Sequence, residues 1–290
     1  MLCNNSWLDM SWDGQSTRTV KENLKVKFNR RAKTLTDFDQ ACDQVAVEIG
    51  DCYKNLYLGL SGGSDSEYVA TCLLRNNISF TPLLVSYKKT QDIAQYELWY
   101  AYQWCKKHQL KPMVVELGHY PASDHEKQTY LKLKPRLCFG SVAAGFLHRL
   151  MDDLDGCLIT GTQLEYYPDA EQMTYLEPQL GDYNGFVIEE SDFYLETLEQ
   201  QRHPWGFFYW SPEVMSSFVN SWNVELTMQE NKSAIYKTSP RPKFGYPAEF
   251  ADHFTKNQNT VRRALSKDKW GTKDCALLGT KEHLLSQLLE

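Results

Sequence analysis

The segment "LYLGLSGGSDSEYVATCLLRNN", residues 56–77, contains the transition that decides the fold. Its apolar start, "LYLGL", has the composition of a buried β-strand. Its end, "EYVATCLLRNN", places Val69, Cys72 and Leu73 on one face of a helix. Between them lies Ser-Gly-Gly-Ser-Asp-Ser, residues 61–66. The segment therefore predicts a strand, a short glycine-rich loop and a helix in immediate succession.

The chain around this segment alternates between strand-like and helix-like patterns. Further strands are predicted at 80–87, 112–117, 156–162 and, as a fifth, 185–190. Helices are predicted at 36–50, 92–110 and 136–154. The strands are continuous apolar runs, as in a sheet covered on both sides. The pattern predicts an α/β fold, a parallel β-sheet with helices on both faces.

Three segments follow from the same pattern. Residues 1–50 are expected to form an N-terminal extension that packs on the core, and residues 51–200 the α/β domain. Residues 201–290 combine an aromatic, proline-rich stretch with a helix-like end. They are expected to form a helical C-terminal extension or a lid, so both extensions are predicted to be mostly helical.

Composition limits the classes of function. The chain has 290 residues, 42% of them hydrophobic, which is enough for a sizeable core. A net charge of −6 argues against a protein that coats nucleic acid, although the clusters "VKENLKVKFNRRAK" and "VRRALSKDKWGTK" leave contact with RNA open. There is no apolar run of membrane-spanning length, and the start lacks the pattern of a secretory signal.

Cysteine usage points to a reducing compartment. None of the eight cysteines is spaced as Cys-x-x-Cys, so zinc-knuckle and dithiol redox sites have no support. Several cysteines stand inside apolar patterns, which is typical of buried, reduced thiols. A cytoplasmic location is the expectation.

The loop has the chemistry of an anion site. Amides at the end of a strand and the start of a helix attract phosphate, and Gly62 and Gly63 allow a ligand close to the backbone. Three side chains can donate hydroxyl hydrogen bonds: Ser61, Ser64 and Ser66. Asp65 would repel a phosphate unless a cation lies between them, and Mg²⁺ is the natural bridge. Ser64 and Glu67 also fit a capping box.

The loop resembles the S-G-G-x-D-S signature of the PP-loop ATP pyrophosphatases. This family includes the synthetase domains of GMP synthetase and asparagine synthetase, NAD synthetase and 7-cyano-7-deazaguanine synthase. The resemblance covers about residues 55–195. It implies an adenine-nucleotide α-hydrolase-like, Rossmann-like domain that cleaves ATP between the α- and β-phosphates. It also implies adenylation of a substrate oxygen and pyrophosphate held by the loop.

Three more stretches are similar to the same family. They are "YKKTQDIAQYELWYAYQWCKK" at 87–107, "KPRLCFGSVAAGFL" at 134–147 and "TGTQLEYYPDAE" at 160–171. The first keeps Tyr87 and Glu97 but lacks the family's glycine. The second has Leu137 where the family has asparagine. The third resembles a Gly-Thr-Leu-Tyr-Pro-Asp segment with two residues inserted.

These stretches supply the remaining candidate site residues. Adenine in this fold meets the backbone at the end of the second strand, here Val85 and Ser86, and small residues at Gly161 and Thr162 would admit adenine or substrate. The nucleotide-binding set is Ser61, Gly62, Gly63, Ser64, Asp65, Ser66, Val85, Ser86, Gly161 and Thr162.

Metal and catalytic roles fall to a few charged residues. Asp169 follows the fourth strand and is the expected partner of Asp65 on Mg²⁺; the alternative is an ordinary turn. Arg136 suits a polyphosphate or a carboxylate, or is a helix-end arginine. Adenylation needs a further cation. The proline-flanked stretch "SPRPKFGYP" offers Arg241 and Lys243, with a surface loop as the alternative.

The function implied is an ATP-dependent synthetase or ligase of the amidotransferase type. Its substrates would be ATP with Mg²⁺, a small-molecule or nucleobase-like acceptor and an ammonia-like nucleophile. Ammonia would be free or supplied by a separate donor protein, since no glutaminase is visible. Dimers are common in the resembling families, and the sequence leaves a homodimer open.

Two other hypotheses remain open. One is a sulfur-transfer relative, a tRNA thiolase or a 3′-phosphoadenylylsulfate reductase-like enzyme, for which Cys138 and Cys157 are the candidates. The other is a non-catalytic, nucleotide-binding or structural part of an assembly, with "WGFFYWSPEVMSSF" as an interface.

Overall fold

A computed structural model describes residues 7–11, 25–88, 91–119, 150, 153–167, 185–188, 206–238 and 276–290. Its strands are β1 (Leu8–Ser11), β2 (Lys25–Phe28), β3 (Leu56–Gly59), β4 (Phe80–Lys88), β5 (Met113–His119), β6 (Cys157–Ile159), β7 (Glu165–Tyr167), β8 (Gly185–Ile188) and β9 (Ala276–Gly279). Its α-helices are α1 (Phe38–Cys52), α2 (Ser64–Arg75), α3 (Gln91–Lys107), α4 (Pro212–Ser221), α5 (Met228–Ile235) and α6 (Lys281–Leu288). None of these described helices is both long and apolar enough to span a bilayer.

The central sheet has the strand order β5-β4-β3-β6 within the described residues, and every pair in it is parallel. Leu56 on β3 lies level with Phe80 on β4 and with Cys157 on β6. Helices α2 and α3 follow β3 and β4 and pack on the sheet. The predicted α/β class with a parallel sheet is confirmed.

The predicted fifth strand belongs to a different sheet. Residues Gly185–Ile188 form β8, which is the middle strand of the antiparallel sheet β7-β8-β9. All four of its residues are buried. The strand itself is confirmed, but its place in the parallel sheet was wrong, because a short, fully buried apolar run looks the same in a parallel and in an antiparallel sheet.

The N-terminal region adds two strands to its helix. β1 and β2 pair in antiparallel fashion, and the stretch "LKVKF" supplies the second strand. α1 begins at Phe38 because the Asp37 side chain accepts a hydrogen bond from the Gln40 amide. Its apolar face packs on α2 and α4. The N- and C-terminal regions also meet directly, since the Ala32 amide donates to the Leu288 carbonyl at 2.7 Å.

One hydrophobic cluster takes residues from all three predicted segments. The aromatic stretch after residue 205 lies inside it: Phe207, Phe208, Tyr209 and Trp210 are buried. The indole nitrogen of Trp7 donates to the carbonyls of Tyr209 and Trp210 at 3.1 and 3.0 Å. The described part of this stretch is therefore core, which removes the reason to interpret it as an interface.

The described cysteines are not all alike. Cys42, Cys72 and Cys105 are buried free thiols, and Cys157 is a half-buried free thiol. Cys52 is disulfide-bonded, whereas cysteine usage in the sequence indicated a reducing compartment. The predicted helix over 136–154 lies largely outside the described residues.

Candidate active site

The glycine loop follows β3, which lies between β4 and β6 in the described part of the sheet. β3 ends at Gly59, and the Leu60 amide still donates to the Leu83 carbonyl of β4 at 2.9 Å. α2 begins at Ser64, so only Ser61, Gly62 and Gly63 separate the ladder from the helix. This is the carboxyl edge of a parallel sheet, where α/β proteins bind their ligands.

The conformation of the loop explains one of its two glycines. Gly62 has φ 81°, in the region that favours glycine, whereas Gly63 has φ −77° and is the N-cap of α2. No side chain among the described residues caps this helix. The predicted capping box of Ser64 and Glu67 was wrong, because the helix begins one residue earlier than that box requires. The first amides of α2 are therefore available to an anion.

Two of the loop serines hold the loop in shape. The buried Ser66 hydroxyl accepts from the Ser61 amide at 3.3 Å and donates to the Gly63 carbonyl at 3.1 Å. The Ser61 and Ser66 oxygens are 3.2 Å apart, and the Gly63 amide donates to Ser61 Oγ at 3.3 Å. Ser61 is exposed, so its hydroxyl can turn to a ligand, whereas the buried Ser66 stabilises the conformation of the loop.

Asp65 receives three hydrogen bonds from residues distant in sequence. Gln163 Nε2 and the Tyr236 hydroxyl each lie 2.7 Å from Oδ1, and Lys232 Nζ lies 2.7 Å from Oδ2. The Lys232 side chain is 9% exposed and that of Asp65 is 24% exposed. A shielded ion pair thus joins the loop to α5.

The local sequence of α5 fixes the position of this lysine. Thr227 and Glu230 form a reciprocal capping box at the helix start. The buried side chain of Asn231 accepts from the Asn223 amide at 2.7 Å and donates to the Asn223 carbonyl at 2.8 Å. Lys232 follows Asn231 directly, in the next turn, so the anchored helix presents its ammonium to Asp65.

Tyr236 ends the same helix and is a neutral donor. Burial first, and then the negative charge of Asp65, raise the pKa of Tyr236 well above its ordinary value. Its hydroxyl also lies 2.6 Å from Gln163 Oε1, so one phenolic proton serves two acceptors. The Tyr236 ring stacks on Tyr68 of α2 with centroids 4.4 Å apart. The two helices are therefore joined by apolar as well as polar contacts.

The Asp65 carboxylate has little room for a magnesium ion in this arrangement. A carboxylate offers about four lone-pair positions, and three hydrogen bonds already use three of them. One of the donors is an ammonium, which would repel a metal ion bound to the same group. The described residues also contain no group of three or more His, Cys, Asp or Glu side chains that could hold a metal. The role of Asp65 as a metal ligand stays a prediction.

The neighbouring strands bring the other predicted nucleotide-binding residues to the same edge. Val85 and Ser86 lie beyond Leu83, which is level with Gly59 at the end of β3. Gly161 and Thr162 follow β6. The loop and these four residues thus share one edge of the sheet, while their contact with a nucleotide stays a prediction.

Gly161 has a structural reason to be glycine. A Cβ atom on Gly161 would lie 2.8 Å from the Ser66 nitrogen and 3.0 Å from the Asp65 carbonyl carbon. These distances are below normal van der Waals contact, and the atoms belong to the backbone. The first turn of α2 therefore packs directly against Gly161, and contact of Gly161 with adenine stays a prediction.

Four predicted site residues lie outside the described residues: Arg136, Asp169, Arg241 and Lys243. Three residues that the sequence did not single out lie at the site instead: Gln163, Lys232 and Tyr236. Lys232 and Tyr236 are four residues apart and so share one helical face, which is a signal that the sequence does contain. Gln163 stands directly after the Gly-Thr pair at the end of a strand.

No protein-family model matches the chain, and no curated protein is significantly similar to it. Among solved structures it is similar to NMN synthetase from Francisella tularensis, with 11% identity, a TM-score of 0.31 and coverage of 77% of this chain and 95% of that one. It is also similar to NH3-dependent NAD synthetase from Campylobacter jejuni subsp. jejuni, in complex with the nitrate ion. Here the identity is 13%, the TM-score 0.29 and the coverage 81% and 93%. At TM-scores this low, neither likeness supports a conclusion about the activity of this chain.

Proposed function

We propose that the protein is an ATP-dependent synthetase that adenylates an oxygen of its acceptor and releases pyrophosphate. AMP then leaves when an ammonia-like nucleophile attacks the acceptor. The observation that supports this most is the loop at 61–66. It combines the Ser-Gly-Gly-Ser-Asp-Ser sequence with a position between a parallel strand and an uncapped helix start.

The geometry of the loop suits a polyphosphate. The positive φ of Gly62 lets the backbone turn from β3 into α2 within three residues. The first amides of α2 then point to the same side as the positive end of its dipole. Ser61, being exposed, adds a hydroxyl donor. We assign the pyrophosphate part of ATP to these groups.

The nucleoside part would extend along the same edge of the sheet. Val85 and Ser86 are half-buried at the end of β4, so their backbone groups can meet a purine. Gly161 and Thr162 bound the other side of the loop, beyond β6. In this proposal the nucleotide lies across β3, between the ends of its two neighbours.

The position of Cys157 disfavours the sulfur-transfer alternative. Cys157 lies level with Leu56, the first residue of β3, whereas the loop follows the last residue of that strand. Strand residues rise by about 3.3 Å each, so the thiol lies about 10 Å or more along the sheet from the loop. A persulfide on Cys157 could not reach a nucleotide bound there. Cys138 lies outside the described residues.

The experiment is an assay for AMP and pyrophosphate formed from ATP. The purified full chain is incubated with ammonia and a panel of carboxylate and nucleobase acceptors. Ser61→Ala is the test variant, and Thr71→Ala is its control because Thr71 is an exposed hydroxyl further along α2. We expect acceptor-stimulated AMP and pyrophosphate from the wild type and the control, and at least about tenfold less from Ser61→Ala. Equal rates in both variants would contradict the proposed role of the loop.

A further inference from the structure

Asp65 raises a problem for the proposed function. It lies in the first turn of α2, next to the amides that would bind the anion. A carboxylate there repels phosphate, which weakens binding unless a positive charge compensates it. A divalent metal is the usual solution. As described above, the hydrogen bonds of Asp65 leave little room for one.

The structure contains a different compensating charge. Lys232 Nζ contacts Asp65 Oδ2 at 2.7 Å, and its side chain is more shielded from solvent than that of its partner. The contact is well defined, because Asn231 and the Thr227–Glu230 capping box anchor the helix that carries Lys232. Gln163 and Tyr236 hold the other carboxylate oxygen with neutral donors.

Resting on the proposed function, we propose that Lys232 is the built-in counter-ion of the loop. It neutralises Asp65, so the loop binds a pyrophosphate-type anion without a metal ion held by that carboxylate. Lys232 and Asp65 are positioning residues in this proposal. The amides and Ser61 contact the anion, while the ion pair removes the repulsion that would oppose it.

Lys237 provides a matched control for the charge. It lies five residues after Lys232, but its ammonium pairs with Asp39 and its side chain is 69% exposed. Lys232→Met and Lys237→Met change the net charge of the protein by the same amount. A difference between the two variants therefore reports where the charge lies, not how much charge the protein carries.

The test is titration calorimetry with inorganic pyrophosphate, in EDTA and then in Mg²⁺, on the full chain. In EDTA we expect the wild type and Lys237→Met to bind equally. Lys232→Met should bind about 10- to 100-fold more weakly, the effect of one uncompensated charge near an anion in a partly shielded site. Mg²⁺ should recover part of this loss, because the freed carboxylate can then hold the metal.

A double variant protects the test against a folding defect. Asp65→Asn with Lys232→Met removes both charges and leaves no unpaired ion beside the core. We expect it to bind pyrophosphate in EDTA within about threefold of the wild type, because the carboxylate that repels the anion is removed together with its counter-ion. Circular dichroism melts check that each variant is folded.

The outcomes separate the two proposals. If the wild type binds pyrophosphate only with Mg²⁺, or if Lys232→Met binds as well as Lys237→Met in EDTA, the counter-ion role is overturned and the proposed function stands. A double variant that binds as weakly as Lys232→Met overturns neutralisation as well. If the wild type binds neither pyrophosphate nor ATP under either condition, both proposals are overturned.

Discussion

Replacing Gly161 by alanine tests the link between the sheet and the glycine loop. The new Cβ would lie 2.8 Å from the Ser66 nitrogen and 2.9 Å from the Ser66 Cα. Normal contact needs about 3.5 Å or more between such atoms, so α2 or the end of β6 must move by about 0.7 Å. Overpacking of this kind costs about 1–3 kcal/mol. A shift of about 1 Å at a binding site typically costs up to 100-fold in activity.

Gly59→Ala is the matched control for this change. Gly59 is the last residue of β3, on the neighbouring strand, but a Cβ there would meet its nearest atom, the Ile159 carbonyl oxygen, at an ordinary 3.7 Å. Urea unfolding and pyrophosphate titration are measured for both variants. We expect Gly161→Ala to lose about 1–3 kcal/mol of unfolding free energy and most of its pyrophosphate binding. Gly59→Ala should lose little of either. Wild-type stability and pyrophosphate binding in Gly161→Ala would refute the close contact between Gly161 and the first turn of α2.

Three further changes test the core, an ion-pair network and the loop backbone. Phe38→Ala removes a buried ring that stacks on Tyr68 at 5.4 Å, so urea unfolding should show a loss of about 3–5 kcal/mol. Burial raises the pKa of Asp39, but hydrogen bonds from Lys237, Tyr68 and Arg75 outweigh it, so its pKa is lowered from 3.8. The unfolded chain therefore takes up this proton first. The stability that the carboxylate contributes is present above pH 3.8 and is lost as the pH falls through the lower folded pKa. At pH 7 the unfolding free energy of an Asp39→Asn variant should therefore be lower than that of the wild type by about 1 kcal/mol. In acid unfolding curves the two proteins should converge. Gly62→Ala should cost about 1–2 kcal/mol in thermal or urea unfolding because its φ is 81°, and equal stability would contradict that conformation.

The strand, loop and helix at 56–77 could be predicted because each is encoded locally. The apolar run stops, two glycines follow and the helical period begins, and β3 and α2 lie where this pattern indicates. The exact start of α2 could not be predicted from the same residues. Ser64 and Glu67 have the spacing of a capping box, but the preceding Gly63 takes the cap position as the chain leaves its turn at Gly62.

The contacts of Asp65 could not be predicted because they join distant parts of the chain. Lys232 is 167 residues away, Tyr236 is 171 and Gln163 is 98. The packing of α5 against α2 brings Lys232 and Tyr236 to Asp65, and the pairing of β6 with β3 brings Gln163 there. The sequence indicates that a carboxylate next to a phosphate site needs a positive partner. It does not indicate which cation the fold places beside Asp65.

The C-terminal aromatic stretch illustrates a different limit. Trp210 is buried, and its indole nitrogen donates to Glu48 Oε2 at 2.9 Å on α1. Apolar composition indicates that such a stretch is covered by something. Whether the cover is the chain itself or a partner depends on how the N-terminal helix packs, and local patterns carry no information on that packing.

Hydrogen exchange of the loop amides tests the central claim most directly. The full chain is exchanged into heavy water with and without an ATP analogue whose α–β bridge resists cleavage, and peptides spanning residues 61–66 are followed by mass spectrometry. The first amides of α2 have no partner within the helix, so they should exchange quickly in the free protein. We expect slower exchange of Ser64, Asp65 and Ser66 on binding. Bound analogue with unchanged exchange at these amides would contradict the assignment of the loop as the polyphosphate site.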